Sequence, residues 1–127
     1  MQDQKLWTWH LAAGLVILVL LGLHMAIMHL DAALGIFNPA GGHPIDWANV
    51  VARGQTLFFS VTYVLLLGVA LFHGLYGLRN ILLELAPGPG LKTAIGWLLI
   101  IGGVALFVLG TWAAWAAHQV AQGGVLV

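Results

Sequence analysis

Residues 54–78 read GQTLFFSVTYVLLLGVALFHGLYGL, with no charged side chain between Arg53 and Arg79. A run of about 20 mostly apolar residues is enough to cross the hydrocarbon core of a bilayer as a helix. The stretch therefore predicts one transmembrane helix, and a histidine lies inside it. Working outward, residues 6–30 and 93–127 are uncharged as well. Each window holds one crossing and none holds two. Helices are expected over about 7–30, 55–85 and 91–119. The chain reads as an all-α membrane protein, a single domain over residues 1–127 with three transmembrane helices.

Composition agrees. Of the 127 residues, 61% are hydrophobic and 6% are charged, where a soluble domain carries about 25% charged residues. Four basic and four acidic residues leave no net charge, so no nucleic-acid footprint is present. Cysteine is absent, which excludes disulfides, iron–sulfur ligation and thiol nucleophiles within the chain. The first apolar run continues to Leu30. That is longer than the 7–15-residue core of a cleaved signal peptide, so no cleavage is expected.

Between the helices, residues 31–54 form the longest connection. Pro39, Gly41, Gly42 and Pro44 are turn-formers, and residues 45–52 suit a short amphipathic helix on the membrane surface. Pro87, Gly88, Pro89 and Gly90 predict a tight break. Lys5, Arg79 and Lys92 fall on one side of the membrane and Arg53 alone on the other. By the positive-inside rule the N-terminus is cytoplasmic and the C-terminus outside. In the third helix Gly96, Gly103 and Gly110, extended by Ala114 and Ala117, make a smooth stripe for another helix. The stripe does not say which helix that is.

Any chemistry rests with the histidines. A histidine within a span is costly and faces a bundle interior, where it needs a partner. Proton relay, metal or haem ligation, and hydrogen bonding to a quinone are the open uses. No carboxylate lies within any uncharged window, which counts against a proton relay. At 100° per residue, His10, Gly14, Leu21, His24 and Met28 share a face of the first helix. His29 lies about 140° from His24, so one straight helix cannot offer both to one group. On the second helix Thr62, Leu66, His73, Gly77, Asn80 and Glu84 share a face. With Trp7 and Arg79 marking the same surface, His24 and His73 lie roughly 15 Å apart in depth. Gly14 and Gly77 mark faces that something bulky could approach. His29, His43 and His118 suit the membrane interface.

His73, Gly77, Leu78 and Arg79 resemble the His-x-x-x-Gly-Ile/Leu-Arg signature of the membrane anchors of succinate dehydrogenase and fumarate reductase. Glu84 stands where those anchors often have Asp. His10 and Gly14 resemble the element that opens their first span, and His24 falls fourteen residues after His10, where dihaem members place an axial ligand. The resemblance covers residues 7–85. It implies half of a haem-binding helical bundle, with His73 and His24 as axial ligands to iron. It places His10, Arg79, Gly14 and Gly77 at haem pockets or propionates. The implied cofactors are two haems b, shared with a second anchor chain, and a quinone, menaquinone. The implied partners are that second anchor, an iron–sulfur subunit and a flavoprotein subunit, assembled at a cytoplasmic (inner) membrane. The chain alone is then expected to have no catalytic activity.

Leu11 and Asn80 depart from the pattern, which often has Arg and His there. The quinone candidates divide accordingly: His29, Asp31 and His43 at the outer side, or Trp7 and Asn80 at the N-terminal side. Two other readings remain. One is a haem-b subunit of a different quinone-linked complex. The other is a haem-free structural anchor.

Overall fold

The computed structural model describes residues 2–29, 41–85 and 88–123. Among these residues the chain forms four helices: α1 (Gln2–His29), α2 (Trp47–Gly54), α3 (Leu57–Glu84) and α4 (Pro89–Gly123). Three are long and apolar enough to cross a membrane, over Gln4–His29, Leu57–Glu84 and Pro89–Gly123. The protein is thus an all-α chain with three membrane spans.

The helix ends differ from the sequence reading for local reasons. α1 starts near Gln2, not near residue 7, because nothing in Gln2–Leu6 breaks a helix and Thr8 Oγ1 donates to the Gln4 carbonyl at 2.9 Å. α4 begins at Pro89, inside the expected break, with the Lys92 N–H on the Gly88 carbonyl at 3.0 Å. Proline suits a first helical position, since its missing N–H has no partner there anyway. α4 also runs to Gly123, past the expected end near residue 119. At 1.5 Å per residue, α4 is about 52 Å long, well beyond a hydrocarbon core of about 30 Å. Its ends therefore reach the headgroups or the helix tilts.

The short α2 was expected over residues 45–52 and forms two residues later. Its polar face is turned inward. Asn49 is 0% exposed and Arg53 6% exposed, while Trp47 is 71% exposed. Asn49 Nδ2 donates to the carbonyls of Gly41 (2.9 Å) and His43 (3.0 Å), and the Arg53 guanidinium donates to the Pro44 carbonyl. The His43 N–H is held by Asp46 Oδ2 at 2.8 Å. Gly41 and Gly42 have φ of 70° and 77°, a region that favours glycine. Buried polar side chains thus replace an apolar core beneath α2, and Trp47 and Val50 are turned outward. Asn49→Leu is expected to remove two hydrogen bonds to carbonyls that water can still reach, and to cost about 0.5–1.5 kcal/mol for each. Thermal unfolding in detergent, with proteolysis of the 41–56 segment as a local readout, checks this.

The spans lie in a row. α3 is in the middle, packed by α1 on one flank and α4 on the other, and among the described residues the α1 and α4 backbones do not come close to one another. The glycine stripe of α4 faces α3: a side chain at Gly103 would meet Leu75, one at Gly110 would meet Leu67, and in return Phe107 sits over Gly68. Close backbone approach at small residues is what drives helix association in lipid, where apolar surface alone gives no preference. The C-terminal end of α4 is clasped to the α2–α3 junction. His118 Nδ1 is 2.6 Å from the Gly54 carbonyl, Gln122 Nε2 donates to the Gln55 carbonyl at 2.9 Å, and Ala121 packs on Gly54. No residue of α3 is buried within this single chain, so a row of three helices leaves both faces of α3 open.

Candidate functional site

α1 and α3 run antiparallel, and each carries His-x-x-x-Gly: His10 with Gly14, and His73 with Gly77. The two motifs meet. A Cβ on Gly14 would lie 3.1 Å from His73 Cε1, and one on Gly77 would lie 3.5 Å from His10 Cε1. Each imidazole therefore fills the notch left by the other helix's glycine. The rings stack with centroids 4.0 Å apart and planes 5° from parallel. The bulky groups that approach the faces marked by Gly14 and Gly77 are the chain's own histidines.

The contact also sets a tautomer. His73 Nδ1 is 3.0 Å from the His10 carbonyl oxygen. A carbonyl only accepts, so Nδ1 carries the hydrogen and donates it. Nε2 of His73 is left with its lone pair. This is the arrangement used by metal-ligating histidines, in which the second ring nitrogen is fixed by a carbonyl. His10 Nδ1 is buried and has no hydrogen-bond partner among the described residues. Tyr76 lies beside His10, with ring centroids 5.1 Å apart, and Phe72 stacks on Tyr76 at 5.9 Å.

The same register continues along the pair. Position 10 faces 77, 14 faces 73, and 24 faces 63: His24 meets Tyr63 edge-on at 5.8 Å and 81°. Ten residues separate His24 from Gly14 and Tyr63 from His73, which is about 15 Å of rise on either helix. The two histidine levels are therefore as far apart as expected. His24 lines a closed space of about 10 Å³ with Ile27, Phe59 and Thr62, too small to be more than a packing gap. Tyr63 and Tyr76 went unremarked as site residues in the sequence. The antiparallel register of the two histidine motifs is the signal that finds Tyr63.

Trp7 and Asn80 come together at the N-terminal end, where with Gln4, Tyr76, Arg79 and Leu83 they line a groove of about 570 Å³. Arg79 and Tyr76 also line a larger apolar groove between α3 and α4. The outer group is not assembled in the same way. His29 is exposed at the end of α1, His43 is exposed in the turn before α2, and Asp31 lies outside the described residues. Among the described residues no three His, Asp or Glu side chains cluster as a metal site.

These observations test the fit of a haem. With 4.0 Å between the ring centroids, no porphyrin passes between His10 and His73, so these two rings cannot flank one iron. One axial ligand fits: His73, whose Nδ1 is tethered and whose Nε2 is not. A second ligand to the same iron would have to be supplied from outside the His10–His73 pair. What the fold and the site define is a multi-pass membrane protein with a histidine pair packed within its first two spans. No family model, curated protein or solved structure matches the chain.

Proposed function

We propose that the chain is the haem b-binding membrane anchor subunit of a succinate:quinone oxidoreductase or quinol:fumarate reductase. It attaches the iron–sulfur and flavoprotein subunits and passes electrons between them and a quinone, menaquinone. The observation that carries this reading is the tether of His73 Nδ1 to the His10 carbonyl at 3.0 Å, within a motif that resembles that of such anchors. Haem b supplies a one-electron carrier when bound. The chain's own part is to hold the His73 ring at a fixed angle, to keep its proton on Nδ1, and to exclude water with Phe72 and Tyr76. His24, about 15 Å deeper, would hold a second haem on a face outside the packed gap it shares with Tyr63. The open row α1–α3–α4 supports half of a bundle, completed by a second anchor that brings the opposite ligands. The N-terminus is cytoplasmic, and the soluble subunits dock on the face bearing Lys5, Arg79, Glu84 and Lys92.

One observation favours a second reading. Stacked as they are, His10 and His73 also serve as plain packing between two helices, as a haem-free anchor would use them. A pyridine haemochrome spectrum of the complex purified through this chain separates the two. Haem b together with a copurifying covalent-flavin subunit supports the proposal. Haem without that flavin points to another quinone-linked complex, and absence of haem leaves the structural anchor.

A further inference from the structure

α3 and α4 part company toward the N-terminal side. Leu75 sits over Gly103, but a side chain at Gly96, two turns nearer that side, would meet nothing within 4 Å. The gap is an apolar groove of about 600 Å³, walled by Leu71, Leu75, Leu99, Gly96, Gly103 and Phe107. Its outer rim is open to lipid, since Ile100 and Val104 are exposed. At its N-terminal end the groove meets the more polar groove of Gln4, Trp7 and Asn80, and Tyr76 and Arg79 line both. The pair thus forms one amphiphilic channel with a cation at its hinge.

Arg79 is half-buried, and among the described residues it has no ion pair or hydrogen bond. A guanidinium near the membrane needs an anion or water, and its planar fork matches phosphate oxygens two at a time. A neutral quinone head would fit the space but leave the charge unmatched.

We propose that this channel is a binding site for one anionic phospholipid. Its phosphate pairs with Arg79 beside the Tyr76 ring, and one acyl chain lies along Gly96 and Gly103 between α3 and α4. The groove reaches Leu6 of α1 and shares Phe72 and Tyr76 with the surroundings of the histidine pair, but neither His10 nor His73 lines it, and pairing a phosphate with Arg79 requires no haem.

The test uses the full chain with its copurifying subunits, stripped of lipid in neutral detergent. Phosphatidylglycerol, or phosphatidylcholine with the same acyl chains, is added back, and bound lipid is read by native mass spectrometry. One phosphatidylglycerol per chain is expected, bound about tenfold more tightly than phosphatidylcholine. Arg79→Gln should lose about tenfold in phosphatidylglycerol affinity. Gly96→Leu, which has open space for its side chain, should block the lipid without unfolding the row, as judged by unchanged helical circular dichroism. Lys5→Gln should change little. Equal retention of both lipids, or an Arg79→Gln variant that binds normally, overturns the site. An equal loss in Lys5→Gln means diffuse surface attraction and overturns it too. Displacement by inorganic phosphate identifies a free anion, and displacement by a short-chain quinone a neutral occupant; either rejects the lipid. Haem loss in Arg79→Gln with lipid retained assigns the guanidinium to a propionate instead.

Discussion

His73→Gln is expected to remove one haem component from the assembled complex while leaving the three spans in place. A glutamine amide can still donate to the His10 carbonyl, which His73 Nδ1 now meets at 3.0 Å, but it offers no imidazole lone pair to iron. His73→Leu removes both the tether and the ligand. The carbonyl it frees still accepts within α1, so the stability cost is about 1 kcal/mol, the net worth of one hydrogen bond. Both variants should therefore assemble, lack the same spectral component, and transfer electrons to quinone poorly. Succinate oxidation with a soluble dye should persist in the catalytic subunits. The glutamine variant makes the experiment decisive. Full haem content with an unchanged spectrum in His73→Gln would show that the tether, not ligation, is what position 73 provides. Loss of haem in leucine alone would say the same.

The three spans were legible because charge is so scarce: Arg53, Arg79 and Lys92 bound the windows, and nothing within a window can stop a helix in lipid. The ends were less legible. The interface limits the apolar run but not the helix, so polar helix-formers at Gln2–Leu6 carry α1 outward. Pro89 reads as a breaker from inside a loop and as a starter from the helix that follows. The neighbour of the glycine stripe could not be named from α4 alone. Only the register of Leu67 and Leu75 on α3 selects it.

At the site, the faces of α1 and α3 were readable from the helical period, and the depths of His24 and His73 came out as expected. What filled the glycine notches did not. A wheel drawn for one helix shows that Gly14 and Gly77 leave space, but not that an antiparallel partner with the same His-x-x-x-Gly spacing turns each notch into a seat for the other's ring. Read as a pair, the two motifs imply the stack at once, and carrying the same register fourteen residues along α1 from His10 places Tyr63 opposite His24.

The two faces of the membrane are also built differently. On the side of α2, buried Asn49 and Arg53 and the His118–Gly54 and Gln122–Gln55 bonds clasp the helices together. On the N-terminal side the helices diverge around Arg79 and no such clasp joins α1 to α4. The chain is braced where it meets α2 and open where the proposed soluble subunits and lipid would engage it. That division follows from where polar side chains sit in a chain that has few of them.

The second histidine level supplies the other large effect. His24 is half-buried against the edge of Tyr63, whereas His29 is exposed at the end of α1. The two lie about 140° apart around the helix, so only one can face a group held beside the α1–α3 pair. His24→Leu is accordingly expected to delete one redox component in a potentiometric titration of the complex, leaving the component that depends on His73. His29→Leu should titrate as the parent does. Because His24 and His73 lie about 15 Å apart in depth, the losses should be independent, and the double variant His24→Leu, His73→Gln should hold no haem. Tyr63→Phe serves as the control for packing: it keeps the ring that His24 touches and should keep both components. If His29→Leu instead removes a component and His24→Leu does not, α1 is rotated relative to α3 at that level in the assembled complex. The partner anchor would then have to approach from the face on which His29 stands.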